Sequence, residues 1–275
     1  MIVSQSWEIL KKDKEIMWFP VCSTIVSLAA LVVLGIALFL VMLGGDIENF
    51  KEIKEGEPVG MFSYVALFVY YLVMYFIANF FTAGIFIIVH GRFNGQDLSF
   101  QDGINGAIAN SGKIFWWSFI SATVGVVLQI ISDKSKLVGK LVVGLLGAAW
   151  GILTYFSLPS LIIGKTSVAD SFKQSASVIR KTWGETIIIN LGVGLFFGLL
   201  VFLALALMIG VIILAPTFPV VISMLLLFVI FIVLITIISS SLGAIFKLAL
   251  FEYATTGKIP DGFSRELIQN AVRTK

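Results

Sequence analysis

Six long apolar runs with very few charged residues constrain this chain more than any other feature of its sequence. They cover residues 19–44, 61–89, 114–131, 137–163, 186–214 and 218–253. A helix that crosses a bilayer needs about 20 apolar residues, and each run approaches or exceeds that length. Only 13% of the 275 residues are charged, against roughly 25% in soluble domains. The sequence therefore predicts an all-α integral membrane protein, with six transmembrane helices in one membrane domain over residues 1–275.

The distribution of basic residues predicts how the spans are oriented. Six spans place both termini on one side, and fourteen of the 19 Lys and Arg residues fall there: Lys11, Lys12, Lys14, Arg92, Lys113, Lys165, Lys173, Arg180, Lys181, Lys247, Lys258, Arg265, Arg273 and Lys275. The other five are Lys51, Lys54, Lys134, Lys136 and Lys140. Because cytoplasmic loops carry the excess of basic residues, we expect a multi-pass protein of the cytoplasmic (inner) cell membrane with both termini in the cytoplasm.

A threefold pattern follows the second, fourth and sixth runs. Ser99 precedes Asp102 and Ser167 precedes Asp170, at the spacing of a helix start in which serine caps a free N–H group. In the third copy Asp261 follows Pro260 and is itself the predicted cap. Convergence of the three aspartates into an acidic ring is the alternative to capping. The pattern predicts three helical-hairpin repeats, approximately 1–90, 91–164 and 165–275.

Short amphipathic helices are predicted at the start of these units. Residues 4–17 interleave apolar side chains such as Trp7, Leu10 and Met17 with charged ones. Phe172 and Phe263 open apolar stripes at helical spacing in the second and third copies. Such helices are too short to span a bilayer and are expected at the cytoplasmic interface. Tryptophans fall where the odd-numbered spans begin, a position typical of the headgroup level; they are Trp18, Trp116, Trp117 and Trp183.

Two short motifs are similar to a family of six-span prokaryotic integral membrane proteins whose function is uncharacterised. The first is Ser6-Trp7-Glu8-Ile9-Leu10 followed by Phe19-Pro20, and the second is Ala249-Leu250-Phe251-Glu252-Tyr253-Ala254-Thr255-Thr256-Gly257. The resemblance implies the six-span fold over nearly the whole chain. It implies no activity and no site.

Several residues are candidates for polar or lipid-headgroup contacts. Asn79 and Asn190 lie within spans, where an amide either bonds across helices or contacts a ligand. Lys247 lies about 43 Å along its helix from Phe218, beyond the hydrocarbon thickness of about 30 Å, so we expect it to reach the cytoplasmic interface. Glu252 lies still further along, and a salt bridge or a headgroup contact is the alternative for both. Arg180 and Lys181 lie on the polar face of the second amphipathic stretch.

Small residues and missing motifs complete the sequence-based prediction. Close helix packing is expected at Gly144, Gly147 and Gly151 of the fourth span, and at Gly194 and Gly198 of the fifth. One histidine (His90) and one cysteine (Cys22) give no pair for catalysis and no metal site. No phosphate-binding loop or hydrolase motif is present. We therefore expect no catalytic residue, no cofactor, no metal and no nucleic-acid partner.

These features favour a non-enzymatic protein that structures the membrane or interacts with its lipids, either as an oligomer or as the accessory subunit of a protein partner. The alternative is a passive channel or permease for an uncharged or lipid-like substrate, suggested by Asn79, Asn190 and the long, glycine-bearing fifth and sixth spans. Ion-coupled transport is disfavoured because ionisable residues are absent from the deep part of every span.

Overall fold

The structure is a computed structural model that describes residues 2–43 and 61–264, with side chains at 5–40, 61, 63–136, 138–181 and 196–264. Within these ranges the chain forms nine α-helices and no strand: α1 (Ile2–Lys12), α2 (Trp18–Leu43), α3 (Met61–Phe93), α4 (Phe100–Ala109), α5 (Ser111–Asp133), α6 (Leu137–Leu153), α7 (Ser157–Ile162), α8 (Val168–Leu214) and α9 (Phe218–Thr256). A 3₁₀ turn, Lys14–Met17, joins α1 to α2. Six segments are long and apolar enough to cross a membrane, as predicted. The chain is a multi-pass membrane protein.

The buried core is confined to one end of the molecule, which we call the packed end. It contains α1, the 3₁₀ turn, α4, α7, and the adjoining ends of the long helices. Its fully buried side chains include Leu10, Ile16, Phe19, Ile85, Phe86, Ile88, Ile114, Phe156, Leu161, Ile245, Leu248 and Phe251. Both described ends of the chain lie here, since Leu10 and Phe263 are both buried in this core.

The opposite half of the molecule leaves its apolar side chains exposed, and we call it the open half. It contains residues 25–40 of α2, 138–153 of α6, 196–214 of α8 and 218–234 of α9. Leu28, Leu145, Leu207 and Leu226 are among its exposed side chains. Exposed leucine is tolerated over this extent only where the solvent is itself apolar, as lipid tails are.

Helix α3 is the centre of the packed end, where it contacts α2, α4, α5, α7 and α9. A close approach is possible because two glycines make room for the ring of Phe19. A Cβ at Gly84 would lie 2.2 Å from Phe19 Cε1, and one at Gly103 would lie 2.6 Å from Phe19 Cζ. Because neither glycine has a side chain, α4 packs closely on α3, and the ring of Phe19 lies against both glycines.

The fourth span is interrupted, whereas the sequence predicted a continuous run over 137–163. Helix α6 ends at Leu153, and α7 begins only at Ser157. Pro159 explains the break: inside a continuous helix its ring would clash with the carbonyl of Tyr155, but in the first turn of a new helix it displaces no hydrogen bond. The N–H of Phe156, left without a helical partner, donates to Ser175 Oγ at 3.0 Å.

The predicted helix starts are correct in two copies of the threefold pattern and wrong in the third. The hydroxyl of Ser99 accepts from the N–H of Asp102, and that of Ser167 accepts from the N–H of Asp170. At the third position Gly262 has φ +92°, which excludes it from a right-handed helix. Asp261 therefore lies in a turn and does not cap a helix that begins with Gly262.

The second predicted surface helix is not a separate element. Helix α8 runs for 47 residues, about 70 Å, through both that stretch and the fifth span. No proline and only Gly184 occurs between Val168 and Thr186, so nothing in the sequence ends the helix. In the first copy Asn110 does separate α4 from α5. The threefold repeat itself stays a prediction, and the third amphipathic stretch lies largely outside the described residues.

Candidate functional site

Asn79, a predicted polar contact in the second span, faces a neighbouring helix. Its side-chain amide donates to Ser118 Oγ on α5 at 3.2 Å. Of the two roles considered for this residue, the structure supplies the partner for the interhelical bond. Asn190 and Gly194 lie outside the residues whose side chains are described.

Two predicted headgroup contacts are engaged within the protein. Glu252 Oε1 lies 2.5 Å from His90 Nδ1, and only 14% of its side chain is exposed. Of the two alternatives for Glu252, a salt bridge or a headgroup contact, the structure supplies a partner for the first, because the packing of α9 on α3 brings it to His90. Lys247 is half-buried, and its Nζ lies 4.2 Å from the centre of the Tyr155 ring. Because Tyr155 lies in the interruption of the fourth span, Lys247 contacts that interruption. A cation over an aromatic face contributes roughly 0.5–2 kcal/mol.

Arg180 and Lys181 are exposed on α8, as their place on a polar face requires. The predicted packing glycines behave differently. A Cβ at Gly144, Gly151 or Gly198 would meet nothing within 4 Å, and one at Gly147 would make only an ordinary contact with Leu128. The close packing predicted at Gly144, Gly151 and Gly198 is not seen within this chain, where these glycines face outward in the open half, whereas Gly147 contacts Leu128 of α5.

The tryptophans divide into exposed and buried ones. Trp18 and Trp116 are more than half exposed, as a headgroup-level position demands. Trp117 is buried and lies 5.1 Å from the ring of Phe172 and 6.5 Å from that of Trp150, measured between centroids. Trp117 therefore packs against α8 inside the protein. Trp183 lies outside the residues whose side chains are described.

An arginine that the sequence did not single out holds together one corner of the packed end. Arg92, near the end of α3, donates to Asp13 Oδ2 at 2.7 Å and to Asp97 Oδ1 at 2.6 Å. Asp13 precedes the 3₁₀ turn and is buried, whereas Asp97 lies exposed in the α3–α4 loop. One guanidinium thus ties the N-terminal segment to that loop.

A polar cavity of about 400 Å³ lies beside this arginine. Its lining combines the α1–α2 connection with the end of α3 and the loop that follows: Lys11, Lys12, Asp13, Lys14, Glu15, Arg92, Asp97, Leu98 and Ser99. Glu15 fixes the two sides to each other, since its Oε2 accepts from the N–H of Phe100 at 2.5 Å. The cavity is therefore a consequence of the fold and not of one flexible side chain.

An apolar groove of about 430 Å³ adjoins the polar cavity. It is lined by Trp18, Cys22, Phe100 and Gln101, and it shares Glu15 and Ser99 with the polar cavity. Trp18 and Cys22 lie one turn apart on α2, where that helix leaves the packed end. A molecule with a polar head and an apolar tail matches this pair of spaces.

A larger apolar cavity, of about 540 Å³, lies between α2 and α3 in the open half. Its walls are almost entirely hydrocarbon, with Ser63 and Tyr70 as the polar exceptions. Such a space accepts an acyl chain but gives no group that would select one lipid from another.

The charges around the polar cavity are not equally free to bind a ligand. Asp13 and Asp97 both accept from Arg92, Glu15 accepts from Phe100, and Lys11 pairs with Glu8 at 2.9 Å. In the part of the chain that the structure describes, neither Lys12 nor Lys14 makes an ion pair, and both are exposed. The uncommitted charge of the cavity is therefore positive.

Hydrogen bonding lowers the pKa of the capping aspartates that lie outside the spans. The pKa of Asp102 lies below its ordinary value, chiefly because the Ser99 hydroxyl donates to the carboxylate and secondly because the Ser99 N–H does. The pKa of Asp170 is lowered chiefly because the Ser167 hydroxyl donates to its carboxylate, and Lys173 adds to the effect. Their geometry is that of helix caps, and capping accounts for both carboxylates.

Sequence reasoning missed Arg92 and the cavity because their partners are distant in the chain. Asp13 and Arg92 are 79 positions apart, and Glu15 and Phe100 are 85 apart, whereas helical periodicity reports only neighbours within a few residues. The available signal was the Lys11–Glu15 charge cluster next to Trp18. No group of three or more His, Cys, Asp or Glu side chains that could hold a metal ion occurs among the residues described.

Comparison with known proteins identifies a family for this chain. Neither a curated protein nor a solved structure matches the chain. A family model described as a family of unknown function, DUF6159, matches residues 61–262. This range includes the Ala249–Gly257 motif but not the N-terminal one, and the predicted relation to an uncharacterised family is confirmed. The chain therefore belongs to the DUF6159 family.

Proposed function

We propose that this protein is a non-enzymatic protein of the inner membrane that binds phospholipids at its packed end. The observation that carries the proposal is the pair of adjoining spaces, a polar cavity and an apolar groove that share Glu15 and Ser99. A phospholipid has the same division into a charged head and hydrocarbon tails. The groove accommodates the hydrocarbon tails, and the polar cavity adds selectivity for the head.

The place of this pair along the chain supports the proposal. Trp18 is exposed where α2 enters its apolar run, and amphipathic rings favour the headgroup level of a bilayer. Among the residues that the structure describes, the packed end also carries most of the Lys and Arg residues. On the positive-inside principle this end faces the cytoplasm, where the anionic lipids attract basic segments.

Lipid binding is preferred to a passive channel because Asn79, one of the two amides that suggested a pore, already has a partner within the protein. The amide of Asn79 donates to Ser118 on the neighbouring helix, so it holds α3 and α5 together. No comparable observation favours a conducting path among the residues described.

The proposal is tested with the full chain reconstituted in nanodiscs. Discs of pure phosphatidylcholine are compared with discs that also contain phosphatidylglycerol, and thermal unfolding is followed by tryptophan fluorescence. Because a ligand that binds only the folded state raises its stability, we expect a higher melting temperature with phosphatidylglycerol. A melting temperature that does not respond to lipid composition contradicts the proposal.

A further inference from the structure

We infer that the polar cavity holds a phosphate group and that Lys12 and Lys14 bind it. The inference rests on the proposed function and names the chemical group that the packed end recognises. It follows from which charged side chains of the cavity already have partners, from the hydrogen bonds that join the cavity walls, and from the apolar groove that adjoins them.

The three carboxylates that line the polar cavity already accept hydrogen bonds. An ammonium ligand would need a free carboxylate, but Asp13 and Asp97 are bonded to Arg92, and Glu15 is bonded to the N–H of Phe100. Lys12 and Lys14 line the same cavity and have no ion-pair partner in the described chain. The charged side chains of the lining that have no partner in the described chain are therefore both lysines, which favours an anion over a cation.

The two walls of the polar cavity are joined by Arg92. Arg92 joins the segment that carries the lysines to the α3–α4 loop, through bonds of 2.7 and 2.6 Å. Asp13 is nearly fully buried, so its position between Lys12 and Lys14 fixes the backbone from which both lysines project. Arg92 is a positioning residue here: it orders the site, while the lysines contact the anion. A preorganised site loses less conformational entropy on binding than a flexible one.

The sizes of the polar cavity and the apolar groove distinguish a phosphate on a lipid from a free phosphate. A single phosphate fills only part of about 400 Å³, and the adjoining groove beside Trp18 and Cys22 accepts hydrocarbon. A phosphodiester that carries glycerol and acyl chains uses both spaces. Inorganic phosphate or glycerol 3-phosphate would use the polar cavity alone.

The test measures the binding of three probes to the full chain in detergent micelles: phosphatidylglycerol, a diacylglycerol with the same acyl chains, and glycerol 3-phosphate. The variant is Lys12→Gln/Lys14→Gln. The matched control is Lys134→Gln/Lys136→Gln, which removes two exposed lysines from the opposite side of the membrane. A lysine near anionic headgroups contributes about 1 kcal/mol, so loss of two weakens phosphatidylglycerol binding at least about tenfold. The control keeps the wild-type affinity.

The outcomes separate two claims, the phosphate site at Lys12 and Lys14 and the lipid-binding function. Equal affinity of the wild type and the Lys12→Gln/Lys14→Gln variant for phosphatidylglycerol overturns the phosphate site. If diacylglycerol also binds equally to both, the lipid-binding function stands without the phosphate site. Glycerol 3-phosphate bound as tightly as phosphatidylglycerol, and lost in the variant, supports the phosphate site and contradicts the lipid as its source. Binding of none of the three probes contradicts both claims.

Discussion

The glycines of this chain differ in what a side chain at their position would meet, and this difference determines the outcome of substitution. Gly84 and Gly103 lie against Phe19 at the packed end, whereas Gly144 and Gly198 face open space. The sequence pattern pointed to the second group, because small residues at helical spacing are typical of helix contacts. It could not show which face of a span another helix covers, since that depends on the tertiary arrangement.

Replacement of Gly103 by alanine is expected to destabilise the fold. The added methyl would lie 2.6 Å from Phe19 Cζ and 3.0 Å from the carbonyl oxygen of Gly84, and the backbone atom is not free to move aside. Overpacking of this kind costs about 1–3 kcal/mol. The measurement is the melting temperature in detergent, with Gly198→Ala as control; equal melting temperatures for the two variants would contradict the close approach of α3 and α4.

Titration of Asp102 is expected to make the stability of the packed end pH-dependent. Its pKa is lower in the folded chain than in the unfolded chain because Ser99 donates to the carboxylate. The stabilisation is therefore complete above the unfolded pKa of about 3.9 and is lost as the pH falls through the lowered value. Asp102→Asn should melt below the wild type at pH 7.

The pH dependence of the difference in melting temperature tests whether the charge of Asp102 stabilises the fold. The gap in melting temperature between Asp102→Asn and the wild type should close as the pH is lowered from 7 towards 3. Asp261→Asn serves as the control, because Asp261 is exposed in a turn and caps no helix that begins with Gly262. A gap that stays constant down to pH 3 would show that the charge of Asp102 contributes nothing.

At the scale of the element, helix existence was predictable and helix continuity was not. All six spans were recognised from runs of apolar residues, and two helix starts from the Ser99/Asp102 and Ser167/Asp170 spacings. The interruption of the fourth span carried a signal in Pro159 that the apolar run concealed. The continuity of α8 is explained by the absence of proline between Val168 and Thr186. The change from amphipathic to apolar composition along this stretch does not by itself end a helix.

The interruption should depend on Ser175. Its hydroxyl accepts from the N–H of Phe156, and both residues are fully buried. Ser175→Ala leaves a buried donor unsatisfied, which costs about 1–3 kcal/mol. Ser171→Ala is the matched control, since Ser171 is equally buried on the same helix but donates only to the carbonyl of Val168 in its own first turn. If both variants melt together, the bond does not hold the interruption in place.

At the scale of the whole molecule, the packed end and the open half divide the chain into a protein-like core and a lipid-solvated set of helices. Composition predicted the membrane as solvent, but no local pattern showed that the core lies at one end. That arrangement follows from contacts between distant segments, such as His90 with Glu252, which are 162 positions apart. Local periodicity holds no information about such pairs.

The orientation of this division can be measured with the native cysteine removed. In a Cys22→Ser background, Lys258→Cys places a thiol at the packed end and Lys136→Cys places one at the opposite end, both at exposed positions. The positive-inside principle predicts that an impermeant maleimide labels the second variant in intact cells and the first only after the cells are opened. The reverse labelling would contradict a cytoplasmic packed end.

Native mass spectrometry of the full chain, released from its own membrane, tests the central claim most directly. The account predicts that the wild type and Lys134→Gln/Lys136→Gln retain a phospholipid, and that Lys12→Gln/Lys14→Gln has lost most of it. A wild type that carries no phospholipid, or the same retention in all three proteins, would contradict phospholipid binding at the polar cavity of the packed end.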